Sequence, residues 1–289
     1  MKPSIRTVRT PTRGFTLVEL MISVAVMGIV MLAIYGAFFK TQRAADSVTG
    51  VVADRQSARG AVQLLERELR MAGSGWGRSV VVGTSNGAGH IDLNPINFGY
   101  GGPDANDTLS IVGGWEASTL LASGMPNASA TLKVGDTSGF ADGDLVVITD
   151  GTTADMFEVT QVNSQSLILQ HNPSSPFNDP GGHSTWPGTG YNTGAQAYKV
   201  TWVTYKVDST SYRKPALIRA QVGRAPQIAA YDVSGFRVYY QMQDSSLTRN
   251  PASLNFVARV LPVVYTRALS PNRVALNDSV WASIRPRTF

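Results

Sequence analysis

Residues 15–39 read FTLVELMISVAVMGIVMLAIYGAFF, an almost unbroken apolar run with one charged residue, Glu19. No other feature limits the fold as much. At about 1.5 Å per residue, a helix of this length crosses the roughly 30 Å hydrocarbon core of a bilayer. The run is too long for an ordinary secretory signal, and no small-x-small cleavage site follows it. Lys2, Arg6, Arg9 and Arg13 precede it with no acid among residues 1–14, whereas Lys40, Arg43 and Asp46 after it sum to +1. The positive-inside rule therefore places the N-terminus in the cytoplasm and the rest of the chain across the membrane. Glu19 breaks the pattern. A lone carboxylate inside a membrane span is costly and functional by default, and it needs a partner. No basic residue stands near it on the same helix within the span, so the partner is expected on another chain.

Around that glutamate the sequence becomes recognisable. Arg13-Gly14-Phe15-Thr16-Leu17-Val18-Glu19-Leu20-Met21 closely resembles the type IV prepilin signature: a short basic leader, a glycine, a phenylalanine, and a glutamate fifth in the mature chain. The resemblance implies that a prepilin peptidase cuts between Gly14 and Phe15 on the cytoplasmic side and methylates the new amine of Phe15. Glycine suits the cut because it leaves the backbone accessible. Cleavage creates a positive amine at Phe15. Pairing it with Glu19 of an adjacent subunit would neutralise two charges in an apolar filament core.

The helix is expected to continue to about Gly73. No proline interrupts residues 44–72, and Ala58, Val62, Leu65, Leu69 and Ala72 form one helical stripe. Glu66 and Arg70 are spaced as an i,i+4 pair. Gly28, Gly36, Gly50 and Gly60 are places where the helix is expected to bend or melt locally. The segment 64–73, Leu64-Leu65-Glu66-Arg67-Glu68-Leu69-Arg70-Met71-Ala72-Gly73, resembles the end of this helix in the PilW-like minor pilins.

Beyond it, frequent glycine and proline with short alternating runs point to strands and turns. Strands are expected over 107–112, 130–134, 144–149, 156–162, 166–169, 197–207, 216–222, 228–240, 256–266 and 280–284. The last-but-two of these also resembles the late strand region of PilW-like proteins. The expected fold class is α+β: a long pilin helix packed on a C-terminal antiparallel sheet. The expected organisation is a leader (1–14), a helix (15–73, with 15–39 in the membrane) and an extracytoplasmic β-rich domain (74–289). Within that domain, 130–170 reads as a small inserted β-meander and 172–194 as a long loop.

Charge weighs against one class. Outside residues 1–14 the chain is nearly neutral, which does not support a nucleic-acid binder. It is polarised, however: residues 76–198 carry −9 and residues 199–289 carry +9. With no cysteine there is no disulfide or thiolate chemistry. His90, His171 and His183 lie apart in expected loops, and no nucleophile elbow, phosphate loop or H-E-x-x-H motif is present. Asp104, Asn106 and Asp107 form an oxygen-rich cluster. It reads as a turn with Asx caps, the calcium alternative lacking the rest of an EF-hand pattern. A binding loop over 181–191 with Trp186 is the weaker reading of an aromatic, glycine-rich stretch.

No enzyme, cofactor or metal site is expected. The resemblance implies a minor type IV pilin that helps initiate assembly of, or caps, a pilus. A type II secretion pseudopilin, and a pilus-tip adhesin or DNA-uptake subunit, remain open. Expected partners are prepilin peptidase, other major and minor pilins through the N-terminal helix, the inner-membrane assembly platform and the lipid bilayer. The expected location is the bacterial inner membrane, with the C-terminal domain periplasmic or extracellular, and then the pilus or pseudopilus.

Overall fold

The computed structural model describes residues 14–286, apart from 75, 77–79, 83–90, 115, 127–130, 173–174, 176, 179–189, 213 and 270–274. Its first element is the helix α1 (Leu17–Met71), 55 residues long. Helix geometry gives it a length of roughly 80 Å. The helix runs unbroken through Gly28, Gly36, Gly50 and Gly60, where bending or melting was expected. A Cβ at any of these four would meet nothing within 4 Å. Each glycine costs about 1 kcal/mol in propensity relative to alanine, which the long flanking helix absorbs. Hydroxyls along the way are satisfied internally: Ser23 donates to the Glu19 carbonyl at 2.7 Å, and Thr41 to that of Ala37 at 3.0 Å.

The two halves of α1 differ in burial. The apolar side chains from Leu17 to Phe39 stand exposed, Leu17 at 77% and Leu32 at 75%. Toward its end, Ala58, Val62, Leu65, Leu69 and Ala72 are buried, all but Val62 completely. This is the stripe that the 3.6-residue period marks out. Glu66 and Arg70 pair at 2.6 Å on the outer side, an exposed contact worth about 0.3–0.5 kcal/mol.

Seventeen strands follow among the described residues. They are β1 (Val80–Val82), β2 (Ile91–Leu93), β3 (Ile96–Gly99), β4 (Thr108–Gly113), β5 (Ser118–Leu120), β6 (Leu132–Lys133), β7 (Leu145–Thr149), β8 (Ala154–Glu158) and β9 (Gln161–Asn163). Then come β10 (Ile168–Gln170), β11 (Gln196–Asp208), β12 (Ala216–Gln221), β13 (Gln227–Tyr231), β14 (Val233–Met242), β15 (Leu247–Thr248), β16 (Val257–Leu269) and β17 (Ala275–Trp281). A large sheet has the path β13-β12-β11-β7-β8-β1-β2, with β4 and β5 also on β11 and β3 on β4. A four-stranded sheet has the order β15-β14-β16-β17, and a three-stranded one the order β6-β10-β9. Among the described residues, pairing is antiparallel except between β1 and β8. The fold is thus α+β, a long apolar helix followed by antiparallel sheets.

The stripe of α1 packs on Val203, Tyr205, Leu217, Phe236, Val260 and Val264 of the late strands, and also on Ile96, Leu109 and Ile111 of β3 and β4. The helix end runs into β4: the Gly73 amide donates to the Val112 carbonyl at 3.0 Å. Gly113 is needed there, since a Cβ would lie 2.6 Å from the Met71 carbonyl oxygen. A polar tie lies beside the stripe. The Tyr205 hydroxyl donates to Glu68 at 2.6 Å, and Arg219 meets the same carboxylate at 2.7 Å. Burial, with Glu68 beside it, pushes the Tyr205 hydroxyl up, so it remains a neutral donor.

Three strand expectations change, one of them 280–284, of which only Val280 and Trp281 lie in a strand, β17. Residues 156–162 hold parts of two strands, β8 and β9, not one. Residues 228–240 break at Asp232, whose φ of 52° turns the chain between β13 and β14. The segment 130–170 does not close on itself. Its strands β6, β9 and β10 form the small sheet, but β7 and β8 belong to the large one through β11. The physical reason is the length of β11. Its first residues pair with β5 and β7, and its last with β4 and β12. One continuous strand therefore joins the small core around Leu132, Phe157 and Leu169 to the rest. Of the expected loop over 172–194, residues 179–189 lie outside the described residues, with Trp186 and His183 among them, as does His90. Its start is pinned: the Asn178 side chain accepts from the Glu158 amide at 2.8 Å and donates to the Glu158 carbonyl at 2.9 Å.

Candidate assembly site at the helix N-terminus

Thr16 has extended backbone (φ −82°, ψ 151°) and caps α1. Its hydroxyl accepts from the Glu19 amide at 3.3 Å, while the Glu19 carboxylate accepts from the Thr16 amide at 3.4 Å. This reciprocal pair is a capping box, which satisfies two of the donors that a helix start leaves open. Glu19 sits in the first turn, where the helix dipole favours an anion. On its own helix Thr16 supplies Glu19 with hydrogen bonds. Its charge is another matter, because no cation pairs with it among the described residues. The signal for Thr16 was in the sequence, since Thr16-x-x-Glu19 before an apolar run is the capping-box pattern.

Phe15 is 80% exposed. A Cβ at Gly14 would meet nothing within 4 Å, and its φ is not in the left-handed region. Nothing in the fold itself asks for glycine at this position. From Leu17 onward the apolar side chains have no covering layer, and α1 is long and apolar enough to cross a membrane by length and composition. Bare apolar surface of this extent is stable only against lipid or other apolar helices.

Residues 9–35 match the family model for the prokaryotic N-terminal methylation motif. The match supports a type IV pilin-like or pseudopilin subunit, and it implies processing by prepilin peptidase and assembly with pilins. Together with the long apolar helix it supports membrane anchoring. It covers the N-terminal part of the chain only. No match was found among curated proteins or among solved structures.

The oxygen-rich cluster does different work from a loop cap. Asp104 is exposed, but Asn106 and Asp107 stitch the edge of β14. Asn106 Oδ1 accepts from the Phe236 amide at 2.9 Å, and the Asp107 amide donates to the Phe236 carbonyl at 2.9 Å. The Asp107 carboxylate is buried and takes four donors: the amides of Gly101 (3.2 Å) and Val238 (2.9 Å), and Arg249 Nε (3.1 Å) and Nη2 (2.8 Å). A cation would have to displace a bidentate guanidinium. Among the described residues no group of three or more His, Cys, Asp or Glu is arranged to hold a metal ion. His171 packs against the ring of Phe157, with centroids 5.2 Å apart.

Proposed function

We propose that the chain is a minor type IV pilin: a structural subunit, not an enzyme, that is cut between Gly14 and Phe15, N-methylated on Phe15, and helps start or cap a pilus. Residues 1–14 act as its leader, and the domain from 74 onward folds outside the cytoplasm. One observation carries this reading. A helix with a bare apolar half begins with a capped carboxylate, directly after a glycine that the fold does not require. A glycine without a structural reason is explained by the peptidase that must grip the backbone there. The box between Thr16 and Glu19 holds the carboxylate beside the chain end that cleavage would create. In the filament Glu19 would meet the Phe15 amine of a neighbouring subunit. The PilW-like helix ending and the size of the β body favour a low-copy role over a densely repeated one.

Gly14→Leu tests the reading without disturbing the fold, because its side chain enters open space. The variant is expected to insert normally and to accumulate as uncut precursor, by about tenfold or more over the wild type. The measure is the precursor-to-mature ratio on a denaturing gel, in cells that carry a prepilin peptidase. Normal processing of Gly14→Leu would contradict the assigned junction.

A further inference from the structure

The connection between β15 and β16 closes a pocket beside β3. Among the described residues, Asn94, Asn97 and Phe98 line one wall and segment 251–255 the other, around about 380 Å³. That volume lies at the lower end of the roughly 300–1,000 Å³ of small-molecule sites. Among the described residues β3 pairs with β4 alone. The Val112 amide donates to the Pro95 carbonyl at 2.8 Å, and Asn97 pairs with Ser110. Residues 95, 97 and 99 therefore direct their backbone groups to β4, and those of Ile96 and Phe98 point the opposite way.

The walls are fixed without using up their polar groups. The Asn97 side-chain nitrogen donates to the Asn94 carbonyl. The Ser253 hydroxyl accepts from the Asn255 amide at 3.2 Å and caps a short 3₁₀ turn (Leu254–Phe256). The Gln243 amide donates to the Phe256 carbonyl at 2.8 Å, which ties down the far end of that turn. The Phe98 ring packs on that of Tyr240, with centroids 5.2 Å apart. Among the described residues, the side chains of Asn94 and Asn255 and Oδ1 of Asn97 have no protein partner. No charged side chain stands in the described lining. Arg249, two positions before Pro251, is engaged by Asp107 and by the carbonyls of Pro103 and Ala105. A charged ligand would therefore lose water in the pocket without gaining a counter-ion. A side-chain amide presents a donor and an acceptor side by side, which matches two neighbouring hydroxyls. Phe98, Pro251 and Leu254 add apolar surface for the C–H face of a saturated ring.

We propose that this pocket binds an uncharged pyranose sugar. Its preformed, neutral and amide-rich walls suit a polyhydroxyl ring held by several hydrogen bonds at little ordering cost. An extended peptide is the competing occupant. It would find the outward backbone of only Ile96 and Phe98 on β3, too short an edge for a strand to be added. The site is independent of the subunit reading, because the uncut and the mature chain carry the same pocket.

The test uses the full-length protein in a detergent that has no sugar headgroup. Glucose, galactose, mannose and N-acetylglucosamine are titrated in, and binding is read by saturation-transfer NMR. At least one of them is expected to bind with a Kd of about 1–10 mM, the range open to a ligand of so few atoms. Glucuronic acid and glucosamine should bind about tenfold more weakly or not at all. Asn94→Ala combined with Asn255→Ala should weaken the neutral sugar about tenfold, and Ala252→Trp, which fills the mouth, should block it. The side chains of Asn94 and Asn255 make no bond within the described fold, so the thermal melt of the double variant should match the wild type. The comparison of neutral with charged sugars uses the wild type alone and stands whether or not a variant folds. No transfer from any neutral sugar at about 20 mM, equal binding of the charged sugars, or unchanged binding by the folded double variant would overturn the proposal. So would binding of a Val-Thr repeat peptide where no sugar binds, which would give the pocket to a peptide strand.

Discussion

Leu65→Asp is expected to destabilise the β domain by about 3–5 kcal/mol, a large share of a typical domain's stability. Leu65 is completely buried, on the side of α1 that meets Tyr205, Phe236 and Val260. A carboxylate there would have neither water nor a cation. Val48→Asp is the matched control, because Val48 is 60% exposed on the same helix, and it should stay within about 0.5 kcal/mol of the wild type. Thermal melts of the full-length protein in detergent give both values. Deleting 130–170 belongs with the severe case. That cut removes β7 and β8, leaves the first half of β11 with β5 alone, and uncovers Ala197, Tyr198 and Val200. A mild effect of the deletion would mean that β11 does not fuse the two parts.

Glu19→Leu should insert at least as well as the wild type, since a charge inside the span is gone. It should nevertheless lose most of its incorporation into filaments, by about tenfold or more. The capping box makes a second variant decisive. Glu19→Gln keeps an acceptor for the Thr16 amide and removes the charge. If pairing with the Phe15 amine is what assembly needs, Gln fails like Leu. If the cap alone is needed, Gln assembles normally and the charge argument falls. Immunoblots of sheared filaments against membrane fractions separate the two outcomes.

The helix was legible because its signals are local. An apolar run announces its first half, and the spacing of Ala58, Val62, Leu65 and Leu69 announces the buried face of its second. Long alternating strands were legible for the same reason, β11 and β16 above all. Their pairing was not. Nothing in the sequence says that β11 will take β5 and β7 at one end and β4 and β12 at the other. The break at Asp232 depends on a left-handed residue in a run that reads as one strand. At the candidate site, Gly14, Phe15 and Glu19 stood out by motif and by the oddity of a charge in an apolar span. Thr16 was just as legible but needed the capping rule. Asp107 was seen as a loop acid, because its partner Arg249 is 142 positions away and only the fold brings them together.

The central claim is that a peptidase makes a new, methylated N-terminus at Phe15. Intact-mass and N-terminal peptide mass spectrometry of the filament-associated protein tests it directly. The account predicts a chain that starts at N-methyl-Phe15; filament-associated protein that still begins at Met1 would contradict it.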